Sequence, residues 1–140
     1  MYFYHLAKQQ TMEYNEYDWK NKVILVAEDV PTNFLLIKKS LRKSEAQVLW
    51  AKNGQEAVDM VKSGEKIDLV LMDIRMPIMN GLNATMEIKK IRPELPIVAQ
   101  TAYAMDGDKE KSLDAGCDDY ISKPFNLKSF FVLMAKYLER

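Results

Sequence analysis

From Val23 onward the chain alternates short apolar runs with longer amphipathic stretches. The runs Val23–Ala27, Val48–Ala51, Ile67–Met72, Ile97–Ala99 and, more weakly, Tyr120–Ile121 predict five strands. Between and after them, apolar residues recur at helical spacing: Phe34, Ile37 and Leu41 within 32–44; Ala57, Val58 and Val61 within 54–63; Ala84, Ile88 and Ile91 within 82–91; and Leu127, Phe130, Phe131, Met134 and Leu138 within 127–138. A fourth helix is expected over 106–115, but its only large apolar anchors are Met105 and Leu113, which makes it the candidate for a mobile element. Strands that are continuously apolar are buried on both faces, so this alternation predicts an α/β domain with a parallel five-stranded sheet covered by helices on both sides. Punctuation agrees: Pro31 suits a first helical turn, Asn53-Gly54 opens the second helix, and Pro93 with Pro96 closes the third.

Residues 1–21 read differently. Tyr2, Phe3, Tyr4, Tyr14, Tyr17 and Trp19 lie among polar residues with no sustained period, the pattern of a tail or interdomain linker preceding a domain at 22–140. Part of that stretch is expected to pack, either on the surface of this domain or on a neighbouring domain, because so many aromatics are not left in water. At 140 residues the chain suits one core.

Twenty basic residues balance twenty acidic ones, which points away from nucleic acid or an anionic membrane as a direct partner. The single cysteine, Cys117, reads as a buried structural thiol, and the single histidine, His5, nearly excludes sites that need imidazole. No apolar run is long enough to cross a membrane and no secretory signal is seen, so a soluble cytoplasmic protein is expected. The available chemistry is that of carboxylates, hydroxyls and lysine.

In an open parallel sheet, functional groups gather where strands end and the chain leaves in loops around a crevice. Here the first strand ends in Glu28-Asp29, the third in Asp73, the fourth in Thr101, and the fifth leads to Lys123. Three carboxylates in one place repel unless a cation neutralises them, and an all-oxygen set suits Mg²⁺, or Mn²⁺, rather than zinc. A metal, a lysine and a hydroxyl around one carboxylate form a setting for phosphoryl transfer, with Asp73 as nucleophile giving an acyl phosphate. Any one of these residues alone is more often a cap or a solvated loop charge. Their coincidence at four strand ends is what carries the assignment.

The segments LVAEDVPTN, VLMDIRMPIMNG, VAQTAYA and DDYISKPF resemble the signature segments of response-regulator receiver domains over about residues 22–138. The resemblance implies a doubly wound (βα)5 flavodoxin-like fold with strand order 2-1-3-4-5. It implies that Glu28 and Asp29 hold Mg²⁺, that Asp73 is the phosphoacceptor, and that the Arg75 backbone carbonyl completes the metal sphere. Thr101 and Lys123, with the backbone N–H of Ala102, would bind the phosphoryl oxygens, the Lys123–Pro124 peptide would be cis, and Tyr120 would be an aromatic switch acting with Thr101. Glu28 stands where many members have Asp, so contact with the metal through water is expected there. Arg75 and Tyr103, each two residues beyond a key position, imply slow loss of the phosphoryl group.

The wording of AEDVPTN and of the segment from Thr101 to Phe125 is most similar to receivers at the C-terminus of hybrid sensor histidine kinases. That setting implies a phosphoryl donor in a histidine kinase or in the parent's own kinase domain, an onward histidine phosphotransfer partner, an output face formed by helix four, strand five and helix five, and a monomer or weak dimer. The domain would be a phosphoacceptor with self-catalysed transfer, not an enzyme, and would lie in the cytoplasm, free or as part of a membrane-bound sensor. Other readings are a receiver that docks without phosphorylation, a haloacid-dehalogenase-like phosphatase, and a flavin-binding module. The phosphatase needs a DxDxT-type segment where this chain has EDVPT, and the flavin module needs a hydroxyl-rich phosphate loop that EDVPTN does not provide.

Overall fold

A computed structural model describes residues 17–140. The elements are β1 Val23–Ala27, α1 Pro31–Leu41, β2 Gln47–Ala51, α2 Gly54–Lys62, β3 Leu69–Asp73, α3 Gly81–Ile91, β4 Ile97–Thr101, α4 Asp108–Ala115, β5 Asp119–Ser122 and α5 Leu127–Leu138. All four strand pairings are parallel and the order is β2-β1-β3-β4-β5, so the doubly wound sheet is as expected.

Every residue of β1, β3 and β4 is buried, which is why these strands read as unbroken apolar runs. Their side chains divide by alternation. Leu25, Val70, Met72, Ile97 and Ala99 meet Ala57, Val58 and Val61 of α2 and Ala84 and Ile88 of α3. Ile24, Val26, Leu69, Leu71 and Val98 meet Phe34, Ile37 and Leu41 of α1 and Phe130, Phe131 and Met134 of α5. Three helices are capped by an Asn that accepts from a backbone N–H three residues on: Asn53 from Glu56, Asn80 from Asn83 and Asn126 from Ser129. α1 has no side-chain cap and relies on Pro31 at its start.

Several expected bounds shift. The helix expected to reach residue 44 ends at Leu41, and Arg42–Ser44 tighten into a 3-10 turn. There the buried Ser44 hydroxyl donates to the Leu41 carbonyl and accepts from the Ala46 N–H, competing with helical pairing. β3 begins at Leu69, two residues later than Ile67, because the Asp68 carboxylate accepts the Val23 N–H beside the strand start. β4 extends to Thr101 and β5 spans Asp119–Ser122, since pairing with the neighbouring strand holds polar residues that hydrophobic runs leave out.

The fourth helix departs furthest from expectation. A 3-10 turn at Ala104–Asp106 and Gly107 at φ 91° precede a helix that starts only at Asp108. Met105 is 100% exposed and Leu113 is also exposed, so neither is an anchor; the buried residues of α4 are Asp108 and Ser112. The packed region also reaches back beyond residue 22. Trp19 is 1% exposed, lies against Phe131, and donates from its backbone N–H to the Ser44 carbonyl and from its indole to Glu139. The aromatics at 2, 3, 4 and 14, and His5, lie outside the described residues.

Candidate functional site

The carboxyl ends of β1, β3 and β4 and the loop after β5 meet at one edge of the sheet. Glu28 and Asp29 follow β1 directly, and Asp73 is the last residue of β3. One carboxylate oxygen from each of the three can be chosen so that all lie within 4.8 Å of one another. Glu28 is 0% exposed, and its carboxylate is held from two sides. One oxygen accepts from the Val30 N–H at 3.2 Å and the Asn33 amide at 3.4 Å; the other pairs with Lys123 Nζ at 2.9 Å. The same ammonium lies 3.6 Å from Asp73 Oδ2. Lys123 reaches the crevice from the β5–α5 loop, where its peptide bond to Pro124 is cis and its N–H donates to the Thr101 carbonyl at 2.8 Å.

Burial pushes the Asp73 carboxyl up to about 7; the Lys123 ammonium opposes this, and the Glu28 and Asp29 charges add to it. One lysine does not balance three close carboxylates. The residues therefore fit a hard divalent cation: an oxygen-only donor set, crowded and under-neutralised, at a crevice that opens between Asp29, Arg75, Pro77, Asn80, Asp108 and Lys111.

The loop from β3 to α3 is held by two close approaches. A Cβ on Gly81 would lie 2.1 Å from the Asp73 carbonyl oxygen, and one on Gly54 would lie 2.4 Å from that of Met79. Only glycine lets the start of α3 sit against the end of β3, and this fixes the backbone that carries Asp73 and Arg75.

Thr101 ends β4, and its hydroxyl is already engaged. It donates to Asp108 Oδ2 at 2.8 Å and accepts from the Tyr103 N–H at 2.9 Å. Asp108, at the first position of α4, also accepts from Arg75 Nε at 3.1 Å and Nη2 at 3.4 Å. The Arg75 guanidinium in turn lies 3.7 Å over the Tyr103 ring. Burial pushes the Asp108 carboxyl up, and the hydrogen bonds from Arg75 and Thr101 more than reverse this, leaving it below the usual carboxylate range. Ala102 immediately follows β4, and Tyr120, in β5, is half-buried beneath the Lys109 ammonium at 4.8 Å.

The structure thus brings Glu28, Asp29, Asp73 and Lys123 together, with Thr101 at the same edge but turned toward α4. Asp108 is the residue the sequence reading passed over. The signal was an acidic residue behind a glycine at the start of a helix seven positions after Thr101, easily taken for an ordinary first-turn acid. Cys117 is buried near the Thr85 hydroxyl with its thiol pushed up to about 11 by burial, which agrees with the structural reading.

A doubly wound sheet with an acidic crevice at the ends of β1 and β3 and a lysine reaching in after β5 defines a class of small α/β regulatory domains. Residues 24–134 match the model of the response regulator receiver domain, and the chain belongs to that family. It is 42% identical over 128 residues to hybrid signal transduction histidine kinase I of Dictyostelium discoideum, covering 83% of this chain but only 7% of the kinase. Among solved structures it is similar to the receiver domain of the sensor histidine kinase PA1611 of Pseudomonas aeruginosa, crystallised with magnesium in its active-site cleft. That likeness has a TM-score of 0.80 at 34% identity and covers 85% of this chain and 98% of the other. It is also similar to the receiver domain of Ssk1 of Saccharomyces cerevisiae, solved with the histidine phosphotransfer protein Ypd1, with a TM-score of 0.76 at 31% identity over 83% of this chain and 88% of that one.

Proposed function

We propose that this receiver domain accepts a phosphoryl group on Asp73 from the phosphohistidine of a histidine kinase, in a Mg²⁺-dependent reaction. The observation that carries the reading is the cluster of Glu28, Asp29 and Asp73 carboxylates within 4.8 Å, with Lys123 bridging Glu28 and Asp73. Glu28, Asp29, Asp73 and the Arg75 carbonyl would hold the ion. Bound there, Mg²⁺ (or Mn²⁺) supplies charge neutralisation for phosphoryl oxygens.

Asp73 attacks phosphorus through a carboxylate oxygen; the P–N bond to imidazole breaks as the P–O bond forms, and the imidazole leaves with the electron pair. Lys123 offsets charge on a phosphoryl oxygen, and the Thr101 hydroxyl and Ala102 N–H donate to the others. Tyr120 follows Thr101 inward, and the α4–β5–α5 face carries the change. The domain acts as a phosphoacceptor that turns over only by losing or passing on the group. A histidine phosphotransfer protein is the onward partner, a reading supported by the Ypd1 complex of the similar Ssk1 receiver.

The likeness to hybrid kinases supports a receiver within a larger cytoplasmic sensor, with residues 1–21 as linker and 22–140, extended by Trp19, as the domain. Among the described residues no helix is long and apolar enough to cross a membrane. Arg75 and Tyr103, stacked beside the site, restrict the approach of water, so the acyl phosphate persists for minutes or longer; a lifetime of seconds contradicts this. Treatment of the phosphorylated protein with borohydride, followed by peptide mass spectrometry, is expected to find homoserine at position 73. Homoserine at another aspartate overturns the assignment.

A further inference from the structure

We propose that Asp108 is a positioning residue that competes with the phosphoryl group for the Thr101 hydroxyl, and so ties the first residue of α4 to the state of the site. The inference rests on the reading of Asp73 as phosphoacceptor. A threonine hydroxyl has one hydrogen to donate, and here that hydrogen goes to Asp108 Oδ2 at 2.8 Å. Thr101 is 1% exposed and Asp108 3% exposed, so water has little access to either partner. The two interactions of Thr101, with Asp108 and with a phosphoryl oxygen, are mutually exclusive.

Asp108 is well placed to hold its side of this competition. It is the first residue of an eight-residue helix, and Arg75 fixes its orientation through both Nε and Nη2. Arg75 itself is clamped over Tyr103, whose N–H completes the ring of contacts by donating to the Thr101 hydroxyl. When Thr101 turns to a phosphoryl oxygen, Asp108 keeps Arg75 but loses the bond that fastens the start of α4 to the end of β4. With Met105 and Leu113 exposed, α4 has little apolar packing to replace it. The arrangement therefore lowers the intrinsic affinity of the site for a phosphoryl group and transmits its arrival to α4.

The test is the affinity for beryllofluoride, an acyl-phosphate mimic, with Mg²⁺ present, in wild type, Asp108→Ala, Thr101→Ala and the double variant. Loss of a competing charged acceptor is expected to tighten binding about tenfold in Asp108→Ala. In the Thr101→Ala background the same substitution is expected to change nothing. A merely structural role for Asp108 would weaken binding instead, and in both backgrounds alike. Should Asp108→Ala fold poorly, Asp108→Asn, a weaker acceptor of the same shape, is expected to move affinity in the same direction by a smaller factor. Wild type that binds while the Asp108 variants do not gain, or gain equally without Thr101, overturns this inference alone. Wild type that fails to bind overturns the phosphoacceptor reading and this inference together.

Discussion

Asp73 is buried among competing charges, and its burial above all governs its pH behaviour. Its carboxyl is pushed from an ordinary 3.8 to about 7 by burial and by Glu28 and Asp29, against the pull of Lys123. Between those two values the folded protein holds a proton that the unfolded chain has released, so the contribution of this group to stability falls as pH rises from about 4 to 7. Above that window the metal-free protein carries a destabilising charge, worth at most about 4 kcal/mol. Asp73→Asn is expected to raise the metal-free unfolding midpoint at pH 8 and to leave it nearly unchanged at pH 4, as measured by denaturant titration. A variant no more stable than wild type at pH 8 would contradict the burial argument. Protons also compete with the ion, so the apparent Mg²⁺ affinity of wild type is expected to weaken as pH falls below 7.

At the scale of elements, the β3–α3 junction is the most exacting part of the frame. Gly81→Ala would place a methyl 2.1 Å from the Asp73 carbonyl oxygen, and neither partner is a flexible side chain. An overpacking cost of about 2 kcal/mol or more is expected in urea unfolding, together with impaired phosphorylation, because the strand end that carries Asp73 must shift. Gly64→Ala serves as the contrast: it has open space around it but a positive φ of 82°, so it is expected to lower stability only modestly and leave phosphorylation intact. The five strands and most of the faces of α1, α2, α3 and α5 were legible because apolar residues decide them; Ile91 and Leu127, expected on those faces, are exposed at the ends of their helices. α4 was legible only as a weak helix, since the residues it buries, Asp108 and Ser112, are held by hydrogen bonds to partners distant in sequence or by backbone. Hydrophobic periodicity carries no trace of such contacts.

For the whole molecule, the site lies where the strands end, whereas Trp19 packs on the side where β1 and β2 begin, its N–H bonded to the Ser44 carbonyl. Glu28, Asp29, Asp73, Thr101 and Lys123 were readable as a group because a parallel sheet delivers all its strand ends to one edge, whatever the loops do. That part of residues 1–21 packs was readable from its aromatics, but that Trp19 is a core residue was not. It lies in a stretch without periodicity, and its burial depends on Phe131 and Ser44, more than twenty residues away in each case. Trp19→Ala is expected to cost about 3–5 kcal/mol in thermal or urea unfolding, and a chain shortened to begin at residue 22 to lose a similar amount. Because Trp19 is remote from the crevice, the folded fraction of either variant is expected to phosphorylate normally.

The central claim is that Asp73 takes a phosphoryl group with the help of a divalent ion. Intact mass after incubation with acetyl phosphate, with and without Mg²⁺, on wild type and Asp73→Asn, tests it most directly. A gain of one phosphoryl group that requires Mg²⁺, survives acid, is lost in base and is absent from the variant is the predicted result. No gain under any condition, or an equal gain in Asp73→Asn, would contradict the account and leave a receiver that works by docking alone or accepts the group elsewhere.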